Sequence, residues 1–348
     1  MPKVDLHRHL IGSIRLDTLI DIAIENDIPL PSYDKSELKS LIVAEKGSLR
    51  EFLKPLKVFG LCYCNRRAIT RITYEAIEDA FNDGVRYLEM AVSPAFEASF
   101  HRLSLEEVLD GIVHGIRLAE NHYDVKVNLC VGPSFRWKER GLPSPEDVLS
   151  VALKYKAMVR GFGLSAETKD GVPFSMWKSD KKQEYVQVVR EAKDAGLKIT
   201  CHAGEVSGPI SIRDAIKFLG ADRIGHGLTA IRDKKTIELL IQRNIPLEIC
   251  LTSNVKSGAV SQMKKHPFRE LFDQGVTVTI NTDDPTLCQT TLTNEYMIAI
   301  KELGLSTHDI RKIILNGVYS AFLNEKERRE ILKRFCKTLI QEMGSIEY

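Results

Sequence analysis

The sequence has no uncharged apolar stretch approaching the length of a membrane span. Its first residues include Lys3, Asp5, His7, Arg8 and His9, where a signal peptide would need an apolar core, so a cytoplasmic protein is expected and no membrane partner. None of its seven cysteines forms a CxxC pair, and their number is odd, which argues against a disulfide framework and against a cysteine zinc site. Several lie in apolar runs, as buried free thiols do. No basic block is present: 49 Lys and Arg against 47 Asp and Glu leave a net charge of +2 and no row of cations to neutralise phosphates, so no nucleic acid partner is expected. No GxGxxG or GxxxxGK loop follows a strand-like run, which weakens an open doubly wound sheet.

What is present is a repeat of short apolar runs and helical segments. With 348 residues, 43% of them hydrophobic, the chain can bury a large core. Eight runs read as strands: 3–9, 85–92, 125–131, 159–164, 198–203, 223–227, 246–250 and 276–282. Between them, Ser104 with Glu107 three residues on, and Ser144 followed by Pro145, mark helix starts. Gly84, Gly196, Gly220 and Gly275 each follow a helical run and stand where a left-handed cap ends a helix. No proline-rich, serine-rich or low-complexity linker divides the eight units. The expectation is a single-domain α/β protein over 1–348, a (β/α)8 TIM barrel. The long connection from Ile11 to Gly84 must hold more than one helix and reads as an inserted helical lid after strand 1. An amphipathic tail, EKERREILKRFCKTLIQEM, lies outside the minimal repeat.

Chemistry in such a barrel sits at the C-terminal ends of the strands. Strand one ends in His7 and His9, strand five in His202 with Glu205 beyond, strand six in His226, and strand eight in Asp283 and Asp284. His7 and His9 are two apart, which on a strand puts both imidazoles on one face. Imidazoles and a carboxylate at one end of a barrel suit zinc, with iron or cobalt able to substitute. His101, His114, His122, His266 and His308 lie away from strand ends and read as structural or surface residues. Cys62 and Cys64 read as lid packing. Phe52, Leu53, Leu56 and Phe59, at helical spacing in the lid, can serve as core and as ligand contacts.

The blocks PKVDLHRHLIGSIR, CHAGE, RIGHG, LEICLTSN, HPF, VTINTDDP and TLTNEY, in this order across nearly the whole chain, resemble those of the adenosine deaminase family. The resemblance implies a zinc-dependent barrel that hydrolyses the 6-amino group of a purine nucleoside or base, a small-molecule substrate. It makes His7, His9, His202 and Asp283 the ligands of one Zn2+ per chain. His226 would hold the hydroxide that such a site supplies, and Asp284 would bond to it or to the purine N7 side. Glu205 would protonate the ring nitrogen beside the attacked carbon, with Gly204 letting the backbone come close.

Three departures from the family pattern concern the substrate. Ile11 stands where an aspartate contacts the ribose 5′-hydroxyl. The strand-four block reads GFGLSAET, so that Gly163 replaces an aspartate, Ala166 a glycine whose N–H meets purine N3, and Glu167 a second aspartate. Leu251 replaces a proline. His9, Ile11, Ala166 and Asp284 are thus the candidate substrate contacts. An apolar residue at the 5′ contact leaves a hydroxyl unpaired, at a cost of about 1–3 kcal/mol. Family members that act on aminodeoxyfutalosine, a 5′-modified adenosine, are similar in having an apolar residue there. Adenosine and a 5′-modified adenosine stay open, with adenine deamination and a non-catalytic purine-nucleoside-binding paralogue as alternatives. A binuclear metallohydrolase, for which a strand-four lysine often bridges the metals, is disfavoured because VRGFGL has none.

Overall fold

A computed structural model describes residues 1–43, 46–134 and 137–343, with side chains beyond 335 outside the description, including that of Cys336. Eight strands form a single all-parallel sheet in sequence order: β1 (Lys3–His9), β2 (Val85–Val92), β3 (Lys126–Val131), β4 (Val159–Ser165), β5 (Lys198–Ala203), β6 (Arg223–His226), β7 (Leu247–Ile249) and β8 (Val278–Ile280). The seam between β8 and β1 closes through loop and side-chain groups. Leu6 N–H donates to Asn281 Oδ1 at 2.9 Å, Asp283 N–H to His7 O at 2.8 Å and His9 N–H to Asp283 O at 2.7 Å. The expected (β/α)8 barrel is therefore the observed fold.

The last two strands are shorter than the apolar runs that mark them. After Ile280 the chain turns so that the side chains of Asn281 and Thr282 bond to β1, Thr282 Oγ1 donating to Asp5 at 2.6 Å. Ser104 and Ser144 each close a reciprocal capping box, and Pro145 is the first residue of its helix. Gly84, Gly196, Gly220 and Gly275 have φ of 86°, 87°, 56° and 87°, the left-handed conformation expected of them.

The connection after β1 carries helices Leu16–Glu25, Lys35–Ile42, Leu49–Phe52, Leu56–Phe59 and Arg66–Asn82. Phe52 and Phe59 are buried, and Phe52, Leu53 and Leu56 also wall the cavity at the barrel mouth, so this series is both core and wall. The tail forms helix Glu325–Met343, which buries Ile331 and Phe335. Among the described residues all cysteines are free, and no helix is long and apolar enough to cross a membrane.

Candidate active site

The parallel order brings the ends of β1, β5, β6 and β8 to one side of the barrel, over a cavity of about 570 Å³. Five of the six imidazole pairs among His7, His9, His202 and His226, all but His9 with His226, have ring centroids 4.5–5.4 Å apart. His226 and Asp283 are held at φ of 64° and 63°. Non-glycine residues resist that conformation, and such strain is typical of functional positions. His9 Nε2 lies 3.3 Å from both His202 Nε2 and Asp283 Oδ1, and His7 Nε2 lies 3.5 Å from the same Asp283 oxygen. His7, His202, His226 and Asp283 offer ligand atoms all within 4.8 Å of one another. Five groups therefore converge, one more than a four-coordinate zinc site uses, so that His9 and His226 would compete for the last place.

The donor set fits a cation. His7 Nε2 is buried without a hydrogen-bond partner. Burial opposes protonation of His7, but Asp283 and Glu248 outweigh it and hold the ring up to about 10, so the pocket draws positive charge to this point. Burial pushes His9 and His226 down to about 4 and His202 well below its usual value, leaving neutral imidazoles. Asp283 stays ionised: burial opposes this, and the neighbouring imidazoles overcome it. With a cation in place of the proton drawn to His7, imidazole nitrogens and one carboxylate oxygen make a zinc-type donor set.

Glu205, 6% exposed, faces the same cavity, with Oε2 3.7 Å from His226 Nε2 and Oε1 accepting from Ser257 Oγ at 2.9 Å. Burial, then the charges of Asp283 and Glu167, push its carboxyl up to about 8, so it carries a proton at neutral pH. Its loop is held from beneath. The Glu167 carboxylate accepts the backbone N–H groups of Gly204, Glu205, Val206 and Ser207 at 2.9–3.2 Å, and the Ser211 hydroxyl at 2.9 Å. Gly204, at φ 69°, has no room for a Cβ, which would come within 2.5 Å of Ile212.

Asp284 is buried with Oδ1 unpartnered, and burial followed by Asp283 pushes its carboxyl well above the usual range, so the group can donate as well as accept. Gly12 makes room for it: a Cβ there would sit 1.8 Å from Asp284 Oδ1. Ile11 and Glu167 are buried in the cavity wall, and Gly163 is half-buried in it. The sequence-derived substrate contact at Ala166 is not brought to the cavity: its N–H is spent on His202 O at 2.9 Å. The side chain of Glu167 is likewise turned to backbone, occupied by the loop it holds.

The structure adds residues that the sequence reading passed over. Glu248 on β7 accepts His7 Nδ1–H at 2.7 Å and Thr200 Oγ1–H at 2.9 Å, and it is itself paired with Arg223, which also binds Glu89. Burial raises the Glu248 carboxyl, but Arg223 and His7 pull it down to about 2. A charged residue inside each of the apolar strands YLEMAV, RIGH and LEIC was the available signal, since an unpaired charge does not stay buried. The short helix Leu251–Lys256 supplies Ser253, which donates to Asp283 Oδ2 at 2.6 Å, and Asn254, which bonds to His226 at 3.0 Å. His266, expected to be structural, is buried against Asn254. His101 and His122 bond to Leu61 O and Tyr74, and His114 and His308 are exposed.

Residues 2–338 match the family model described as adenosine deaminase. An adenosine deaminase of Clostridium botulinum (strain Hall) is 35% identical over 343 residues, covering 97% of this chain and 98% of the relative. Among solved structures, the Arabidopsis N6-mAMP deaminase has a TM-score of 0.81 at 26% identity over 97% of this chain and 98% of its own. The adenine deaminase of Arthrobacter aurescens has a TM-score of 0.87 at 24% identity, over 97% and 99%, a likeness of fold.

Proposed function

The chain belongs to the adenosine deaminase family and is an aminohydrolase acting on a C–N bond, and from that premise we propose that it hydrolyses the 6-amino group of adenosine or of a 5′-modified adenosine such as aminodeoxyfutalosine. The products are ammonia and the inosine-type nucleoside. The whole of 1–348 acts as one cytoplasmic deaminase domain with a single Zn2+ held by His7, His9, His202 and Asp283, and the helices after β1 act as a lid. An ion held by these residues would supply a hydroxide-type nucleophile near neutral pH.

The observation that carries this reading is the buried Glu205 carboxyl opening on the same cavity as the imidazole and carboxylate cluster, where burial pushes it up to about 8. Glu205 gives its proton to the ring nitrogen beside the amino-bearing carbon, which makes that carbon electrophilic, and then returns protons to the leaving ammonia. Asp284, close behind Gly12, bonds to the attacking oxygen or to the purine N7 edge. Ile11 supports a 5′-modified substrate, because a 5′-hydroxyl against it has no partner.

A substrate panel tests the reading: adenosine, 5′-deoxyadenosine, methylthioadenosine, aminodeoxyfutalosine, adenine and AMP, scored by ammonia release. Turnover of at least one nucleoside is expected. Turnover of adenine alone moves the activity to the base, and release from none of the six contradicts the proposal.

A further inference from the structure

Behind the cluster runs a chain of hydrogen bonds that ends on a backbone amide, and its direction is forced from that end. The N–H of Phe268, which can only donate, meets His266 Nδ1 at 3.1 Å. Burial pushes His266 down to about 3, so the ring is neutral and its one proton lies on Nε2. That N–H points at Asn254 Oδ1, 3.3 Å away. The opposite amide orientation would set two donors against each other, so the NH2 end of Asn254 faces His226 Nδ1, at 3.0 Å. Asn254 is fully buried between the two rings. His226 Nδ1 therefore accepts, and the ring proton sits on Nε2, the nitrogen turned toward Glu205.

His7 and His202 are arranged the other way round. His7 Nδ1 faces a carboxylate oxygen of Glu248 at 2.7 Å, and His202 Nδ1 faces the carbonyl of Leu164 at 3.3 Å. Both partners only accept, so both rings keep a proton on Nδ1 and turn Nε2 toward the cluster, where a cation can take the place of any proton there. We propose that Asn254 and His266 are positioning residues that lock His226 in the Nε2–H tautomer, so that it donates a hydrogen bond to the attacking oxygen and leaves the metal to His7, His9, His202 and Asp283. This resolves the competition for the fourth ligand place by proton position. The step in the reaction rests on the function proposed above; the tautomer itself does not.

The test combines 15N spectra of the histidine rings in the purified protein with metal content and turnover. In the wild type, His226 Nδ1 is expected to be unprotonated and Nε2 protonated. Asn254→Asp is nearly isosteric and still accepts from His266, but it sets a carboxylate oxygen against His226 Nδ1 and draws the ring proton there. It is expected to keep its metal and lose ~10²-fold in kcat, the scale of one misdirected donor at a developing oxyanion. Should that variant not fold, the second pair decides. His266→Gln, whose amide can accept from Phe268 and donate to Asn254, is expected to stay within ~10-fold of wild-type kcat and keep the tautomer, and His266→Leu to lose it. A wild-type His226 protonated on Nδ1, an Asn254→Asp variant with unchanged tautomer or turnover, or a metal lost with Asn254→Asp would overturn the inference. A wild type with Nε2–H that releases no ammonia from any nucleoside would instead overturn the function and leave the tautomer assignment standing.

Discussion

Ile11 is the residue on which the proposed substrate preference rests. It is 6% exposed and sits in the cavity wall two positions past His9, where the strand gives way to a short 3-10 turn. A buried hydroxyl set against it costs about 1–3 kcal/mol, so 5′-deoxyadenosine is expected to exceed adenosine in kcat/KM by ~10-fold. Ile11→Asp supplies the missing acceptor and is expected to narrow or reverse that preference; equal discrimination in both proteins would remove Ile11 from the reading of the 5′ end. At this scale the sequence was informative where a residue's place follows from a strand end, as for His7, His9, His202, His226, Asp283 and Asp284, which the structure brings to one cavity. It misplaced Ala166 and missed the task of Glu167, because whether an N–H or a carboxylate meets a ligand or its own backbone is decided by long-range folding. Ala166 N–H is taken by His202 O, and Glu167 by the loop of Glu205.

Among the elements, the loop 204–208 and the helix Leu251–Lys256 matter most, since neither contains a metal-binding pattern and both carry groups that line the cavity or hold the cluster beside it. The loop is a row of backbone N–H groups closed around one carboxylate, a fixed anion nest filled by Glu167. Glu167→Gln puts an NH2 against donors and leaves some of them unpaired, so it is expected to lower stability by about 1–3 kcal/mol. It is also expected to reduce kcat by ~10-fold or more as Glu205 loses its placement. Glu167→Asp, shorter by one methylene, is expected to fall between. Denaturant midpoints and steady-state rates check both, and wild-type rates in Glu167→Gln would show that the nest does not position Glu205. Strand positions were legible because period-two patterning and glycine caps are local. The support from Ser253, Asn254 and Ser257 was not, since LTSN reads as an ordinary polar turn until β7 delivers it beneath the cluster.

For the whole molecule, the barrel is what converts scattered motifs into one site: β1, β5, β6 and β8 are far apart in sequence, and ring order alone sets their ends around one cavity. The repeat of eight units made that architecture readable, while the buried Arg223 with Glu89 and Glu248 became visible only when the strands were closed. The account's central claim is a division of labour, in which the imidazoles and Asp283 hold one ion and Glu205 moves the proton. Its most direct measurement is turnover per bound metal in Glu205→Gln, using the nucleoside on which the wild type is most active. One ion per chain in both proteins, with kcat lower by at least ~10²-fold in the variant, is the result the account predicts. Wild-type turnover in Glu205→Gln, or loss of its metal along with its activity, would contradict it.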